Sequence, residues 1–227
     1  MAEPTQMIIV SISTIHNLNG ISQAGQTWKA ILDLIRRTPG FKRLYWGRQV
    51  EDPERVQLHV VRGLLSHHHA FLSSPTYIEF TNLLSKVSYA PPGLTIRHAL
   101  ISTFSPQCMS LGLGAPVTGT VIYLSTTLAW DMAWANWVSI VQNVPGFMGI
   151  AGGPVLEAVD GHERAFIALV GWESVEVHEA YHRTKHFLER RGILLDPAEG
   201  GYAYFGHIAF QEEGDGEGKE IGGDSKL

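Results

Sequence analysis

The 227-residue chain has a single cysteine, Cys108. A disulfide framework is therefore excluded, and a reducing compartment is the simplest expectation. No uncharged apolar run approaches the length of a membrane span, so no membrane partner is expected. The N-terminus lacks the basic-then-apolar form of a signal peptide. No cysteine and histidine spacing makes a zinc ligand set, so no metal is expected. The glycines form no phosphate-binding loop, since Gly152-Gly153 is not followed by a helix start. Positive charge is also scarce. The net charge is −5, and the acidic stretch from Gln211 to Leu227 carries −4 of it. A body so close to neutral lacks the basic footprint that nucleic-acid binding needs, so no nucleic-acid partner is expected.

What the chain does have is internal repetition. Pro39-Gly40-Phe41 recurs as Pro145-Gly146-Phe147, an offset of 106 residues. His68 stands three residues before Phe71, and His178 three before Tyr181. His98 and His207 sit on equivalent last strands. A period of nearly half the chain is too long for a solenoid and fits a tandem duplication of one small domain.

Each copy reads β-α-β-β-α-β. In the first, strands are expected over Met7–Thr14, Phe41–Val50, Val56–Val61 and Leu94–Phe104. Helices are expected over Gln26–Arg37 and Ser66–Val87. In the second, strands are expected over Thr120–Thr126, Phe147–Glu157, Ala165–Trp172 and Tyr202–Phe210. Its helices are expected over Ala129–Asn143 and Val175–Arg191. The expected fold class is α+β, with two tandem ferredoxin-like βαββαβ units packed sheet to sheet as a pseudo-dimeric α/β barrel. Residues 1–105 form the first unit, 106–117 a linker, and 118–210 the second. Residues 211–227, rich in Gly and acids, read as a disordered tail.

The pattern helix–PGF–strand, with Trp172-Glu173-Ser174 opening a helix that carries His178 and Tyr181, resembles the dimeric α/β-barrel superfamily. That superfamily includes antibiotic-biosynthesis monooxygenase-like and stress-responsive A/B-barrel proteins. At short motifs the chain is most similar to plant polyketide cyclases of the olivetolic acid type. Tyr45-Trp46-Gly47 matches their YWG strand, and Glu173-Ser174-Val175-Glu176 their helix start. The resemblance places Tyr181 on the active-site tyrosine of those cyclases. It implies a histidine six residues later, where this chain has Phe187 beside His186. In the first copy Phe71 replaces the tyrosine and Tyr77 the histidine.

The candidate catalytic residues are thus His178, Tyr181 and His207. A histidine and a phenol on one helix face suit acid–base work on an enolisable substrate. Trp172 and Tyr204 are expected as pocket walls. A rival pocket in the first copy would use Arg62, His59, Tyr77 and His98. Arg62 stands where the second copy has Trp172, and an arginine there suits a carboxylate or enolate. His59 faces opposite to Arg62 on the same strand. His67-His68-His69 spread around a helix and do not converge on a metal. Gly152-Gly153 aligns with Trp46-Gly47 and makes the second pocket roomier if it faces inward.

The resemblance implies a small, largely apolar, oxygenated metabolite as partner and no cofactor. The leading expectation is cofactor-free cyclisation, isomerisation or lyase-type proton transfer on a polyketide-like substrate. The alternatives are a cofactor-independent monooxygenase and a non-catalytic, stress-related ligand-binding protein.

Ser225-Lys226-Leu227 is the tripeptide read by the peroxisomal import receptor. A peroxisomal location is expected, with that receptor as a second partner. Deleting these three residues should move an N-terminally fluorescent protein from peroxisomal puncta to the cytosol and leave its thermal stability unchanged. Imaging of both forms in cells with normal peroxisomes checks this, and a full-length protein that is already diffuse would refute it.

Overall fold

A computed structural model describes residues 2–89, 93–104 and 115–213. Cys108, Pro91-Pro92 and Ser225-Lys226-Leu227 lie outside the described residues. The first unit contains β1 (Glu3–Ser11), α1 (Gln23–Arg36), β2 (Phe41–Arg48), β3 (Arg55–Arg62), α2 (Leu65–Leu72), α3 (Pro75–Leu84) and β4 (Thr95–Thr103). The second contains β5 (Val117–Leu124), α4 (Trp130–Val141), β6 (Phe147–Val155), β7 (Ala165–Trp172), α5 (Val175–His182), α6 (Lys185–Arg190), α7 (Gly192–Leu195) and β8 (Tyr202–Ile208), followed by β9 (Gln211–Glu213).

Both units have the same strand order, β4-β1-β3-β2 and β8-β5-β7-β6, as two copies of one fold should. They face each other across a shared interior, and they are also joined edge to edge. β4 pairs antiparallel with β6, with Ala99 opposite Val155 and Thr103 opposite Ala151. At the other side Gln49 bridges Ile208, and β2 pairs with β9. The two seams match: Leu156 N–H donates to His98 O (2.8 Å) and Val50 N–H to His207 O (2.7 Å). Among the described residues closure leaves no long unpaired edge, which is how a barrel avoids strand-to-strand aggregation.

Strand alternation builds three cores. Ile8 and Val10 of β1, with Ile12 just beyond its end, face α1–α3, where Trp28, Ile31, Ile35, Trp46, Phe71 and Phe80 fill the space. Met7 faces the barrel interior with Tyr45, Val61, Ile101, Ile122, Ile167 and Phe210. Trp130, Trp134, Trp137, Ile150, Phe166 and Trp172 form the second unit's helix-side core. Each fully buried large side chain is worth about 1.5–3 kcal/mol relative to exposure.

The repeated PGF is a turn with a physical requirement. Gly40 and Gly146 have φ of +73° and +81°, where glycine carries no steric penalty. Their carbonyls accept from Gly63 N–H (2.8 Å) and Glu173 N–H (3.0 Å), which ties the turn to the end of the third strand in each unit.

Four sequence expectations need correction. The helix expected over Ser66–Val87 is two helices, because Ser74 caps a new one that starts at Pro75, and proline disfavours a continued helix before it. Val175–Arg191 is likewise interrupted, with Thr184 accepting from Phe187 N–H at a fresh N-terminus. Gln211–Glu213 belongs to the barrel as β9 and not to a tail. Gly152 faces the helices, but Phe166 and Trp134 fill the room that it leaves. Among the described residues no helix is long and apolar enough to cross a membrane.

The seams depend on bare backbone. A Cβ on Gly153 would stand 1.7 Å from Leu100 O, and one on Gly47 would stand 2.6 Å from Ala209 O. Gly153→Ala should therefore destabilise the fold by roughly 1–3 kcal/mol or more, as overpacking does. Gly47→Ala should act in the same direction, at the opposite seam. Denaturant midpoints of the two variants against the parent chain measure this.

Candidate active site

The helix side of the second unit holds a cavity of about 350 Å³ between the sheet and α4–α7. Its origin is local. In the first unit α3 presses Phe80 and Leu84, both fully buried, onto the core. In the second unit the shorter α6 buries none of its residues. The unfilled space is walled by Trp134, Trp137, Trp172, Tyr123, Phe187 and Phe205.

His178 lines this cavity from α5, whose N-terminus is fixed by Ser174 accepting from Val177 N–H (3.2 Å). The imidazole stacks on Trp172, with centroids 4.4 Å apart and planes 16° from parallel. It lies over Gly119 of β5, where any side chain would meet the ring at about 3.1 Å. His178 Nδ1 is 2.7 Å from His207 Nε2 on β8. His207 Nδ1 in turn bonds Glu51 Oε1, and His207 N–H donates to Glu51 Oε2 (2.9 Å). Glu51 sits in the β2–β3 turn of the other unit. Burial raises its pKa, but the hydrogen bonds from the His207 amide and ring outweigh that, and the net shift is downward. It is therefore a carboxylate at neutral pH and can only accept.

The first unit has the pseudo-symmetric set. His98 Nδ1 bonds Glu157 Oε1 (2.5 Å), and His98 N–H donates to Glu157 Oε2 (2.7 Å). Here the line stops. Arg62 Nη1 donates to His68 Nδ1 (2.9 Å), and His68 Nε2 donates to Pro4 O (3.1 Å). His98 Nε2 is left buried without a partner. In the second unit Trp172 replaces Arg62, and His178 is free to turn to His207.

The structure thus gathers His178, Tyr181, His207 and Trp172 at one place. Tyr181 Oη lies 3.3 Å from His186 Nδ1, so His186 takes the partner position that the resemblance assigned six residues on, and Phe187 becomes cavity wall. His182 adds a further ring 4.2 Å from His178. The sequence pattern did not single out His182 and Phe205 as lining or Glu51 as a member, whereas Tyr202, an expected pocket aromatic, does line the cavity.

Tyr204 does not wall the cavity. A left-handed backbone (φ +56°) turns it into the barrel, where its hydroxyl bonds Arg97 and Asp160, each at 2.9 Å. The rival first-unit site does not assemble. Arg62 is fully buried and bonded to Gln6, His68 and Thr38. Tyr77 packs on Phe71 and Phe80 in the core. His59 is on the opposite face of the sheet, in the barrel against Phe210. Of the three consecutive histidines only His68 points inward, and among the described residues no three His, Cys, Asp or Glu side chains group as a metal would need.

The chain matches solved structures over more than nine-tenths of its length. An anthrone oxidase-like protein superposes with a TM-score of 0.68 at 13% identity, covering 96% of this chain and 95% of that one. Two proteins proposed to be monooxygenases also match at 9% identity. The one from Fusobacterium nucleatum has a TM-score of 0.56, covering 94% of this chain and 95% of that one. The one from Lactobacillus acidophilus NCFM has a TM-score of 0.53, covering 93% and 94%. No protein-family model and no curated protein matches by sequence. The fold these structures share with the chain is a tandem pair of ferredoxin-like βαββαβ units closed into one α/β barrel.

Burial holds several histidines neutral. It lowers His59 to about 3 and His68 to about 4. Burial, with His182 and His207 adding to it, lowers His178 to about 2. His182 is lowered by burial against the pull of Glu179. Each such group binds a proton in the unfolded chain near pH 6.5 and not in the folded one, so stability is present above that pH and is lost as pH falls below it. The expected slope is about 1.4 kcal/mol per pH unit for each histidine. Denaturant unfolding from pH 7.5 to 4.5 should show this acid lability, and His178→Gln should reduce the slope.

Proposed function

We propose that the second-unit cavity takes a flat, oxygenated aromatic metabolite and that His178 Nε2 removes a proton from its acidic C–H. The observation that carries this reading is the Glu51–His207–His178 line ending in an aromatic-walled cavity. His178 Nδ1 is engaged, so Nε2 is the nitrogen left for the cavity that the ring lines. A cavity of about 350 Å³ lies in the range of small-molecule sites. Burial keeps His178 neutral at physiological pH, which leaves one ring nitrogen with a lone pair.

Deprotonation of an aryl-flanked CH₂ gives a carbanion delocalised over the rings. Dioxygen, the co-substrate, then accepts the electrons. Addition at that carbon gives a hydroperoxide, and loss of water leaves a ketone, so CH₂ and O₂ become C=O and H₂O. Oxygenation of this kind agrees with the names of the structural neighbours, one anthrone oxidase-like and two proposed as monooxygenases. The Tyr181–His186 pair supports a second reading, in which the proton returns to the substrate and a ring closes or a double bond moves. Both readings begin with the same abstraction.

A tricyclic anthrone-type phenol is the appropriate probe. It should consume one O₂ per molecule, and His178→Ala should slow turnover by about 10²–10⁴-fold. Tyr181→Phe should cost less in oxygenation than in isomerisation. Deuterium uptake from D₂O without oxygen consumption would select the second reading. Binding without either process would leave a ligand-binding protein and overturn both.

A further inference from the structure

We infer that Glu51, supplied by the first unit, is the positioning residue that sets which nitrogen of His178 carries the proton, so that the site is a composite of both repeats. The inference concerns the same site as the proposed function, but its central test does not depend on any reaction.

Glu51 faces two atoms of His207, the backbone N–H and ring Nδ1. The backbone N–H can only donate. As a carboxylate Glu51 only accepts, so ring Nδ1 must carry a hydrogen, and with His207 as the neutral imidazole Nε2 is a lone pair. That lone pair can only accept, so His178 Nδ1 is the donor across the 2.7 Å contact. His178 Nε2 is then necessarily the unprotonated nitrogen. Two imidazoles are set in sequence by one carboxylate about two ring-widths from the cavity.

Replacement by glutamine reverses the line while nearly preserving shape. The glutamine oxygen must take the fixed backbone N–H, which brings its NH₂ to ring Nδ1. His207 then has to shift its hydrogen to Nε2 and donate to His178 Nδ1. His178 is left with its hydrogen on Nε2, as a donor toward the cavity and no longer a base. The pseudo-symmetric pair supplies an internal control. Glu157 faces His98 N–H and Nδ1 in the same way. His68 Nδ1, however, is held by Arg62, a pure donor, so a flip at His98 cannot propagate.

The test is the imidazole ¹⁵N spectrum of the full chain, labelled at histidine, near pH 7.5. In the parent chain His178, His207 and His98 should all be protonated at Nδ1, and His68 at Nε2. Glu51→Gln should switch His207 and His178 to Nε2–H and leave His98 and His68 unchanged. Glu157→Gln should switch His98 alone. Under the proposed reaction, Glu51→Gln should slow proton abstraction by about 10²-fold or more, and Glu157→Gln should not. His178 still protonated at Nδ1 in a folded Glu51→Gln chain would overturn the inference, as would an equal effect of both substitutions on His178. If Glu51→Gln does not fold, the parent spectrum decides, since His207 found there as Nε2–H is incompatible with it. Tautomers that switch as expected in a chain with no turnover would count against the proposed reaction and not against this inference.

Discussion

The two seams between the repeats are the constraint on which the rest of the molecule depends. Each needs a strand with no side chain at the point of closest approach, and Gly47 and Gly153 provide it. Edge pairing there does more than close the barrel. It brings the β2–β3 turn of one unit and the β6–β7 turn of the other against the last strand of the opposite repeat. Glu51 thereby reaches His207, and Glu157 reaches His98. A ferredoxin-like unit alone would present these histidines at a sheet edge with neither carboxylate. Stability and the electrostatics of the site therefore come from one set of contacts.

Symmetry of the frame makes the differences informative. Both units offer a carboxylate, a strand histidine and a helix histidine. One exchange separates them, Arg62 for Trp172. The buried guanidinium has its pKa lowered by burial to about 10, which leaves it cationic at neutral pH. It needs acceptors, and it takes His68 as one of them while lying 4.9 Å over Phe71. Tryptophan makes no such demand. It offers a flat face, on which His178 stacks. The second difference, α3 against the shorter α6, decides whether the space beneath is filled. A homodimer could not separate these roles, because every substitution would appear twice. A fused pair can keep one unit densely packed for stability and open the other.

The fold was legible because its signals are local and repeated. PGF requires a positive φ at its glycine, apolar positions recur at helical spacing, and both survive in each copy. His178, Tyr181, His207 and Trp172 were legible because one helix face and the neighbouring strand ends hold them. Glu51 was not singled out, although its counterpart Glu157 stands at the same offset of 106 residues as PGF. That repeat was the available signal, and it was overlooked because turn carboxylates usually stay in solvent. Ser74-Pro75 and Thr184 were also readable as helix restarts. Tyr204 was readable only in part. Three residues from His207 on one strand, it takes the opposite, barrel face by alternation, but its left-handed backbone beside the register shift between β5 and β8 breaks that alternation when it is counted from Tyr202. The burial of Arg62 was hidden, since it depends on Gln6 and Thr38, which are distant in sequence.

A composite site also accounts for retention of the densely packed repeat. If the first unit served only as a scaffold, any edge able to pair with β8 would do. It instead contributes a carboxylate whose two oxygens meet one backbone N–H and one ring nitrogen of the same residue, a geometry that admits only one tautomer. The backbone N–H is the fixed reference in that arrangement, because it cannot change its hydrogen. Everything downstream, the His207 ring and then the His178 ring, adjusts to it. The direction of the proton at the cavity is thus determined by a main-chain group at the seam, through a side chain that belongs to the other half of the molecule.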